Sequence, residues 1–107
     1  MFYMVGAFDL RLSGATVADA EHHYLERHVP LARRLPGLRA YVIGTVAETR
    51  RISAERRRGA ILAFESEAAW REAYRSSVGR ELREDEKRLI ADPRVLLLHG
   101  EEIIPAP

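Results

Sequence analysis

Apolar residues along the chain occur in blocks, and the spacing within each block indicates either a strand or a helix. The segments YMVGAF, AILAF and VLLL are largely continuous apolar runs, which is typical of strands buried on both faces. Between residues 16 and 35, apolar positions recur every three or four residues, as on a helix with one buried stripe. The pattern predicts, in chain order, a strand at 2–11, a helix at 16–35, strands at 38–48 and 58–65, helices at 66–75 and 78–91, and a strand at 95–104.

Capping and helix-breaking residues refine the first helix and the last strand. Thr16 and Asp19 have the spacing of a capping box, in which each side chain bonds the backbone N–H of the other residue. Pro30 lies inside the helical pattern, and because proline lacks a backbone N–H, it predicts a kink near residues 26–28. Gly100 interrupts the last strand, where it predicts a β-bulge.

The order of these elements predicts an α+β fold. With the last two helices taken as one split helix, the order is βαββαβ, the ferredoxin-like arrangement. We therefore expect an antiparallel four-stranded sheet with helices on one face. A chain of 107 residues has the size of one domain, which we expect to span residues 1–107.

The second face of the sheet predicts a homodimer. Helices can cover one face only, yet three of the four predicted strands are apolar on both sides. An uncovered apolar face of four strands would exceed the few hundred Å² that soluble monomers normally expose. A second copy of the same sheet is the simplest cover, so we predict a dimer with its sheets face to face.

Composition excludes several kinds of protein and site. Without cysteine, the chain has no disulfide, no thiolate zinc site and no cysteine nucleophile. The net charge is +1 and no apolar run approaches the ~18 residues of a membrane span, so we predict no nucleic-acid or membrane partner. No Lys or Arg precedes FYMVGAF, unlike in a secretory signal, and we expect a cytoplasmic protein. All but one of the 17 basic residues are Arg, as expected from a GC-rich genome. Asn and Gln are absent and charged residues are abundant, which fits a heat-adapted source.

Two polar clusters are interpreted without a catalytic role. Five arginines lie between Arg50 and Arg58, but the predicted strands lack the aromatic motif with which ferredoxin-like RNA-binding domains stack bases. We interpret this loop as solvated, or as a contact with an anionic substrate or with the dimer partner. His22 and His23 point about 100° apart on a helix and cannot chelate one metal ion. We therefore predict no metal site, and we expect the helix face that carries His23 to be exposed.

His28 is the residue best suited to acid–base chemistry. It lies on the apolar stripe of the first helix, where desolvation would lower the pKa of the imidazole and favour the neutral base. Alternatively, His28 is structural and bonds the backbone carbonyls that Pro30 leaves without donors. A catalytic ring should border a cavity that admits a small molecule, whereas a structural ring should have both nitrogens occupied and no cavity within reach.

Further candidate site residues lie on the predicted strands. His99 is in phase with Leu97, so it is a second acid–base candidate if that face lines the interior, and a buried structural residue if it packs against the helices. Asp9 lies near the end of the first strand, where we expect it to be exposed. Tyr3 and Tyr41 can line a pocket with their phenols, or pack into the core with a hydrated tip.

A set of short motifs is spread along nearly the whole chain. It comprises an aromatic residue at Tyr24, His28-x-Pro30-Leu31, Pro36-Gly37-Leu38 followed by Tyr41, Trp70 to Tyr74, Ser76 with Ser77, and the amphipathic helix Glu81 to Leu89. This combination resembles the EthD family of the dimeric α/β-barrel superfamily. Relatives in that superfamily include lactone isomerases, cofactor-free monooxygenases, polyketide cyclases and haem-degrading enzymes, so the fold alone does not fix a reaction.

The resemblance implies a small-molecule enzyme that works without a cofactor. The implied reaction is proton transfer, as in isomerases and cyclases, or oxidative catabolism, on a carbonyl, lactone or phenolic substrate. His28 would be the acid or base, Tyr41 and His99 would orient the substrate, and Tyr3 and Tyr24 would contact it. Two alternatives stay open: a non-catalytic protein that binds an apolar metabolite or assists a catabolic pathway, and an RNA- or protein-interaction module that uses the arginine-rich loop.

Overall fold

The elements follow one another in the predicted order. The computed structural model describes residues 1–105. Among them, no helix is long and apolar enough to cross a membrane. The elements are β1 (Phe2–Leu10), α1 (Val17–His23), a π-helical segment (Tyr24–His28), α2 (Val29–Ala32), β2 (Ala40–Thr45), β3 (Arg58–Phe64), α3 (Glu67–Arg75), α4 (Ser77–Leu89) and β4 (Ile90–His99).

The four strands form one antiparallel sheet in the order β2-β3-β1-β4. This is the ferredoxin-like α+β fold that the element order predicts. The helices pack on one face, where the core is built around residues that are almost completely buried. The largest of these are Phe2, Tyr24, Phe64, Leu82 and Leu89.

Cross-strand register assigns each strand residue to one of two faces, because directly opposed residues share a face. The inner face, toward the helices, carries one row across all four strands, namely Tyr41, Leu62, Met4 and Leu97. The neighbouring row lies on the outer face and consists of Val42, Ile61, Val5 and Leu96. No helix covers this outer row, and three of its four side chains are exposed.

The first helix starts as predicted, and its α-helical hydrogen bonding is interrupted before Pro30. The Thr16 hydroxyl accepts the Asp19 N–H while the Asp19 carboxylate accepts the Thr16 N–H, so the capping box is confirmed. Pro30 cannot donate to the carbonyl four residues before it. The helix accommodates this by widening, and the Val29 N–H bonds the Tyr24 carbonyl in a π-type turn. This π-helical segment carries both Tyr24 and His28 into the protein interior.

The corner between α3 and α4 requires close backbone approach. Ser76 ends α3 and caps α4, because its hydroxyl accepts the Gly79 N–H. A side chain at Gly79 would collide with the backbone of Ala73 and Tyr74. The absence of a Cβ therefore lets the two helices meet at a sharp angle and places both over the sheet.

The predictions for the last strand and its neighbours are partly wrong. Strand β4 begins at Ile90 instead of residue 95, and α4 ends at Leu89 instead of 91. Asp92 has φ of 49° and lies opposite a register shift in β1, so the Asp92-Pro93 pair makes an irregularity within the strand. The bulge predicted at Gly100 is also wrong, because β4 ends at His99 and the Gly100 N–H bonds the Met1 carbonyl. Strand β2 is shorter than the predicted 38–48.

Candidate active site

A cavity of about 460 Å³ lies between the helices and the inner face of the sheet. This volume suits a small organic molecule. Strand residues contribute an apolar floor that includes Met4, Gly6, Ala60 and Leu62. Polar groups come mainly from the walls, and they include Tyr24, His28, Tyr41, Trp70, Tyr74 and Glu86.

His28 is buried and borders this cavity. Its Nδ1 lies 2.8 Å from Oδ2 of Asp85, and its ring stacks on that of Tyr24 with 5.5 Å between the centroids. Within residues 1–105, Nε2 has no hydrogen-bond partner. Burial lowers the pKa of His28, and the hydrogen bond and charge of Asp85 offset this only in part. The ring is therefore neutral at neutral pH, and its second nitrogen is free.

Asp85 determines which nitrogen of His28 carries the hydrogen. Its other oxygen, Oδ1, lies 2.6 Å from His23 Nε2 and 3.5 Å from an Arg88 nitrogen. Burial alone would raise the pKa of Asp85, but the hydrogen bonds from His23 and His28 outweigh it and lower that pKa. An ionised carboxylate can only accept, so His28 Nδ1 must donate. In the neutral ring, Nε2 then keeps its lone pair.

Two phenols stand beside this histidine. Tyr24 and Tyr41 both line the cavity, and their hydroxyls lie close to each other, with the Tyr24 hydroxyl buried. Burial raises the pKa of both phenols, so both stay protonated at neutral pH. The Arg58 guanidinium lies 5.1 Å from the centroid of the Tyr24 ring and pairs with Glu21. This ion pair holds the guanidinium against the ring.

Sequence reasoning missed several polar groups at the cavity. Asp85 orients His28, and Glu86 lines the cavity directly, where burial raises its pKa to about 7. Buried in the same lining, the Trp70 indole N–H and the Tyr74 hydroxyl have no partner among residues 1–105. The sequence pattern that could have revealed Asp85 is the apolar stripe of α4, because Asp85 falls three residues after a buried leucine and four residues before another.

Two of the predicted site residues lie away from the cavity. Tyr3 belongs to the outer face of the sheet, opposite Ala63 and Leu98. His99 is in phase with the inner face, as predicted, but it lies at the end of β4, beyond the cavity lining. Its side chain is 78% exposed, and its Nε2 is 3.5 Å from a Glu67 oxygen. We therefore expect neither residue to contact a ligand held in this cavity.

Two other residues have structural contacts that differ from expectation. His23 was predicted to face solvent, which is wrong, because α4 packs against the π-helical segment and brings Asp85 to its ring. The His23 side chain is only 27% exposed. Asp9 holds the arginine-rich loop, since its carboxylate accepts the Arg57 N–H at 3.1 Å. In the described part of the chain, no three His, Asp or Glu side chains are grouped to hold a metal ion.

The fold is shared with solved structures of low sequence identity. An EthD family protein from Bacillus halodurans has a TM-score of 0.75 at 16% identity, over 94% of this chain and 99% of that one. SnoaB, a cofactor-independent oxygenase from Streptomyces nogalater, has a TM-score of 0.65 at 16% identity, over 98% and 97%. A dimeric ferredoxin-like protein of unknown function from Thermobifida fusca has a TM-score of 0.67 at 16% identity, over 91% and 88%.

These similarities establish the fold. No protein-family model matches the sequence, and no curated protein matches it either. The chain has the ferredoxin-like fold of EthD and related dimeric proteins, so the predicted resemblance is confirmed at the level of architecture. A shared fold at such identities does not transfer a reaction or a substrate.

Proposed function

We propose that this protein is an enzyme that moves a proton on a small carbonyl, lactone or phenolic molecule, using its own side chains. The observation that carries the proposal is the pairing of His28 with Asp85 at the wall of a cavity. A neutral imidazole with one nitrogen held by a carboxylate and the other free has the arrangement of a general base. The distant similarity to a cofactor-independent oxygenase and to an EthD protein is compatible with such chemistry.

The side chains around His28 supply the remaining parts of such a reaction. Nε2 would take a proton from a carbon next to a carbonyl group, while Asp85 holds the ring and stabilises the imidazolium that forms. The phenol of Tyr41 would donate a hydrogen bond to the oxygen on which negative charge develops. The apolar floor limits water around these groups, which strengthens each of the interactions.

The fate of the resulting enolate decides the reaction type. Return of the proton to a different atom gives isomerisation, attack of the carbanion on a second carbonyl of the same molecule gives cyclisation, and reaction with dioxygen gives oxidation. Each begins with the same proton abstraction, for which the chain itself provides the base and a hydrogen-bond donor. We therefore propose proton abstraction as the common step.

A non-catalytic binding protein is the second candidate function. The cavity is lined mostly by apolar side chains such as Phe8, Leu62 and Leu82, which would hold an apolar metabolite even without chemistry. Such a protein would bind a ketone without exchanging its protons. The two functions therefore differ in turnover and not in affinity.

We further propose that the protein acts as a homodimer joined through the outer face of its sheet. The outer row of Val42, Ile61, Val5 and Leu96 is apolar across all four strands. Exposed apolar surface of this extent typically marks an interface. The Thermobifida fusca protein of the same fold is described as dimeric. The arginine-rich loop is engaged with its own chain, because Arg58 pairs with Glu21 and Arg56 bonds the Asp92 carbonyl, so we propose no nucleic-acid partner.

Deuterium exchange tests the proposed reaction without knowledge of the natural substrate. The bicyclic ketone 2-tetralone is small enough for the cavity and has acidic protons next to its carbonyl. We expect the protein to accelerate the exchange of these protons in D₂O, followed by ¹H NMR, with a rate that saturates as the ketone concentration rises. Saturable binding, seen as shifts in the protein spectrum, with exchange at the buffer rate would instead favour the binding protein.

A further inference from the structure

We propose that Glu86 is the proton donor that complements His28, delivering a proton to the ligand oxygen while His28 removes one from carbon. The inference rests on the proposed function and extends it, because it assigns the acid in a reaction for which His28 is the base. It also limits the substrate class to molecules whose carbonyl oxygen lies at the cavity wall formed by α3 and α4.

Glu86 follows Asp85 on α4 but points in a different direction from this residue, which orients His28. Consecutive helical residues point about 100° apart. Asp85 therefore faces His23 and His28, while Glu86 lines the cavity. Among residues 1–105, the Glu86 carboxyl has no hydrogen bond and no ion pair, although it is half-buried. A carboxyl in this position is free to interact with a ligand.

The charged and titratable groups near Glu86 leave it without a counterion. Arg83, on the same helix, stacks over the Tyr74 ring at 5.3 Å, and Lys87 pairs with Glu84 at 3.0 Å. Burial raises the pKa of Glu86 to about 7, Arg83 opposes this in part, and the charge of Asp85 adds to it. The other titratable groups of the cavity lining include the phenols of Tyr41 on β2 and Tyr74 on α3, which are neutral, and His28, whose pKa burial lowers. Near neutral pH, a large fraction of Glu86 is therefore the uncharged acid.

The wall formed by α3 and α4 offers a ligand the Glu86 carboxyl. The Trp70 indole N–H and the Tyr74 hydroxyl belong to the same wall, but both atoms are enclosed by the protein and neither has a partner in the described chain. Of these three polar groups, only the Glu86 carboxyl is therefore open to a ligand. Glu86 and His28 line the same cavity, so one ligand held there borders both groups.

The proposed step balances as a concerted enolisation. The C–H bond next to the carbonyl breaks, and its proton forms an N–H bond at His28 Nε2. The electron pair forms the carbon–carbon double bond of the enol, and the carbonyl oxygen takes the proton from the O–H bond of Glu86. The enzyme is left with an imidazolium and a carboxylate. Return of a proton to carbon and of the enol proton to Glu86 restores both groups.

Glu86→Gln tests this role, because glutamine can still donate a hydrogen bond but cannot release a proton. The base must be neutral and the acid protonated, so we expect the wild-type exchange rate of 2-tetralone to rise through the pKa of His28 and to fall above about pH 7. In Glu86→Gln we expect a rate at least about 10-fold lower at pH 6.5, with the fall above pH 7 abolished. Glu81→Gln, exposed on the same helix, is the matched control and should keep the wild-type profile.

The outcomes separate this inference from the function on which it rests. A Glu86→Gln protein that retains the falling limb contradicts the donor role, whatever its absolute rate. Wild-type exchange at the buffer rate overturns the proposed function, and the assignment of Glu86 with it. If Glu86→Gln does not fold, the wild-type carboxyl can be titrated by ¹³C NMR. Bound 2-tetralone should raise the pKa of Glu86, because the ketone oxygen bonds the protonated form, and an unchanged pKa would contradict the proposal.

Discussion

Replacing His28 with asparagine should reduce the exchange of 2-tetralone protons by on the order of 100-fold or more, while the ketone still binds. The asparagine amide nitrogen can take the place of Nδ1 and donate to Asp85. In the wild type, Asp85 accepts from His28 Nδ1 at 2.8 Å. The variant therefore keeps the partner of the buried carboxylate but has no nitrogen that can accept a proton from carbon. The loss should appear in the rate at saturating ketone and not in the affinity.

Exchange rates and ketone affinities measured by NMR for both proteins check this expectation. His22→Asn is the matched control, since His22 lies on α1 with an exposed side chain, and this variant should exchange at the wild-type rate. A His28→Asn protein that exchanges ketone protons as fast as the wild type would show that the base lies elsewhere. A variant that loses ketone binding along with exchange would indicate that His28 mainly shapes the cavity.

Replacing Leu96 with arginine should convert the protein from a dimer to a monomer. Leu96 is 60% exposed and lies in the outer row next to Val5, which pairs in turn with Ile61. Within an apolar interface, a guanidinium would lose its hydration without gaining a partner, which is strongly unfavourable. Sedimentation at micromolar concentration should give twice 12.2 kDa for the wild type and 12.2 kDa for the variant.

Val17→Arg is the matched control for this change. Val17 is 64% exposed, as an apolar side chain on α1, and it lies on the helical side of the protein, away from the outer row. This variant should sediment as the wild type does. A wild-type protein that remains monomeric at these concentrations would contradict the dimer, as would a Leu96→Arg protein that sediments at twice 12.2 kDa.

The sequence predicted those parts of the fold that depend on local chemistry. The capping box at Thr16 and the interruption of α-helical hydrogen bonding before Pro30 follow from hydrogen bonds between residues within a few positions of each other. The start of β4 was missed for the opposite reason. Pairing with β1 holds residues 90–94 in the strand although Asp92 has positive φ, and no local pattern reports such a long-range constraint.

Only part of the candidate site was predicted, because some of its contacts join residues that are far apart in the sequence. The helical stripe placed His28 and Tyr24 in the interior, and the motif with Pro30 singled out the histidine. Nearby backbone carbonyls were the partners that the sequence suggested for a structural His28, whereas its Nδ1 bonds Asp85, 57 residues away, which only the packing of α4 against the π-helical segment reveals. His99 was in the expected phase, but strand periodicity does not show that the cavity ends before it.

The central claim is that His28 presents a neutral Nε2 to the cavity while Asp85 holds Nδ1. The most direct measurement is the ¹⁵N chemical shift of both ring nitrogens of His28, followed by NMR as a function of pH. We expect Nδ1 to carry the hydrogen and Nε2 to be unprotonated at pH 7, with a pKa below the usual 6.5. A ring that is charged at pH 7, or a neutral ring with its hydrogen on Nε2, would contradict the account.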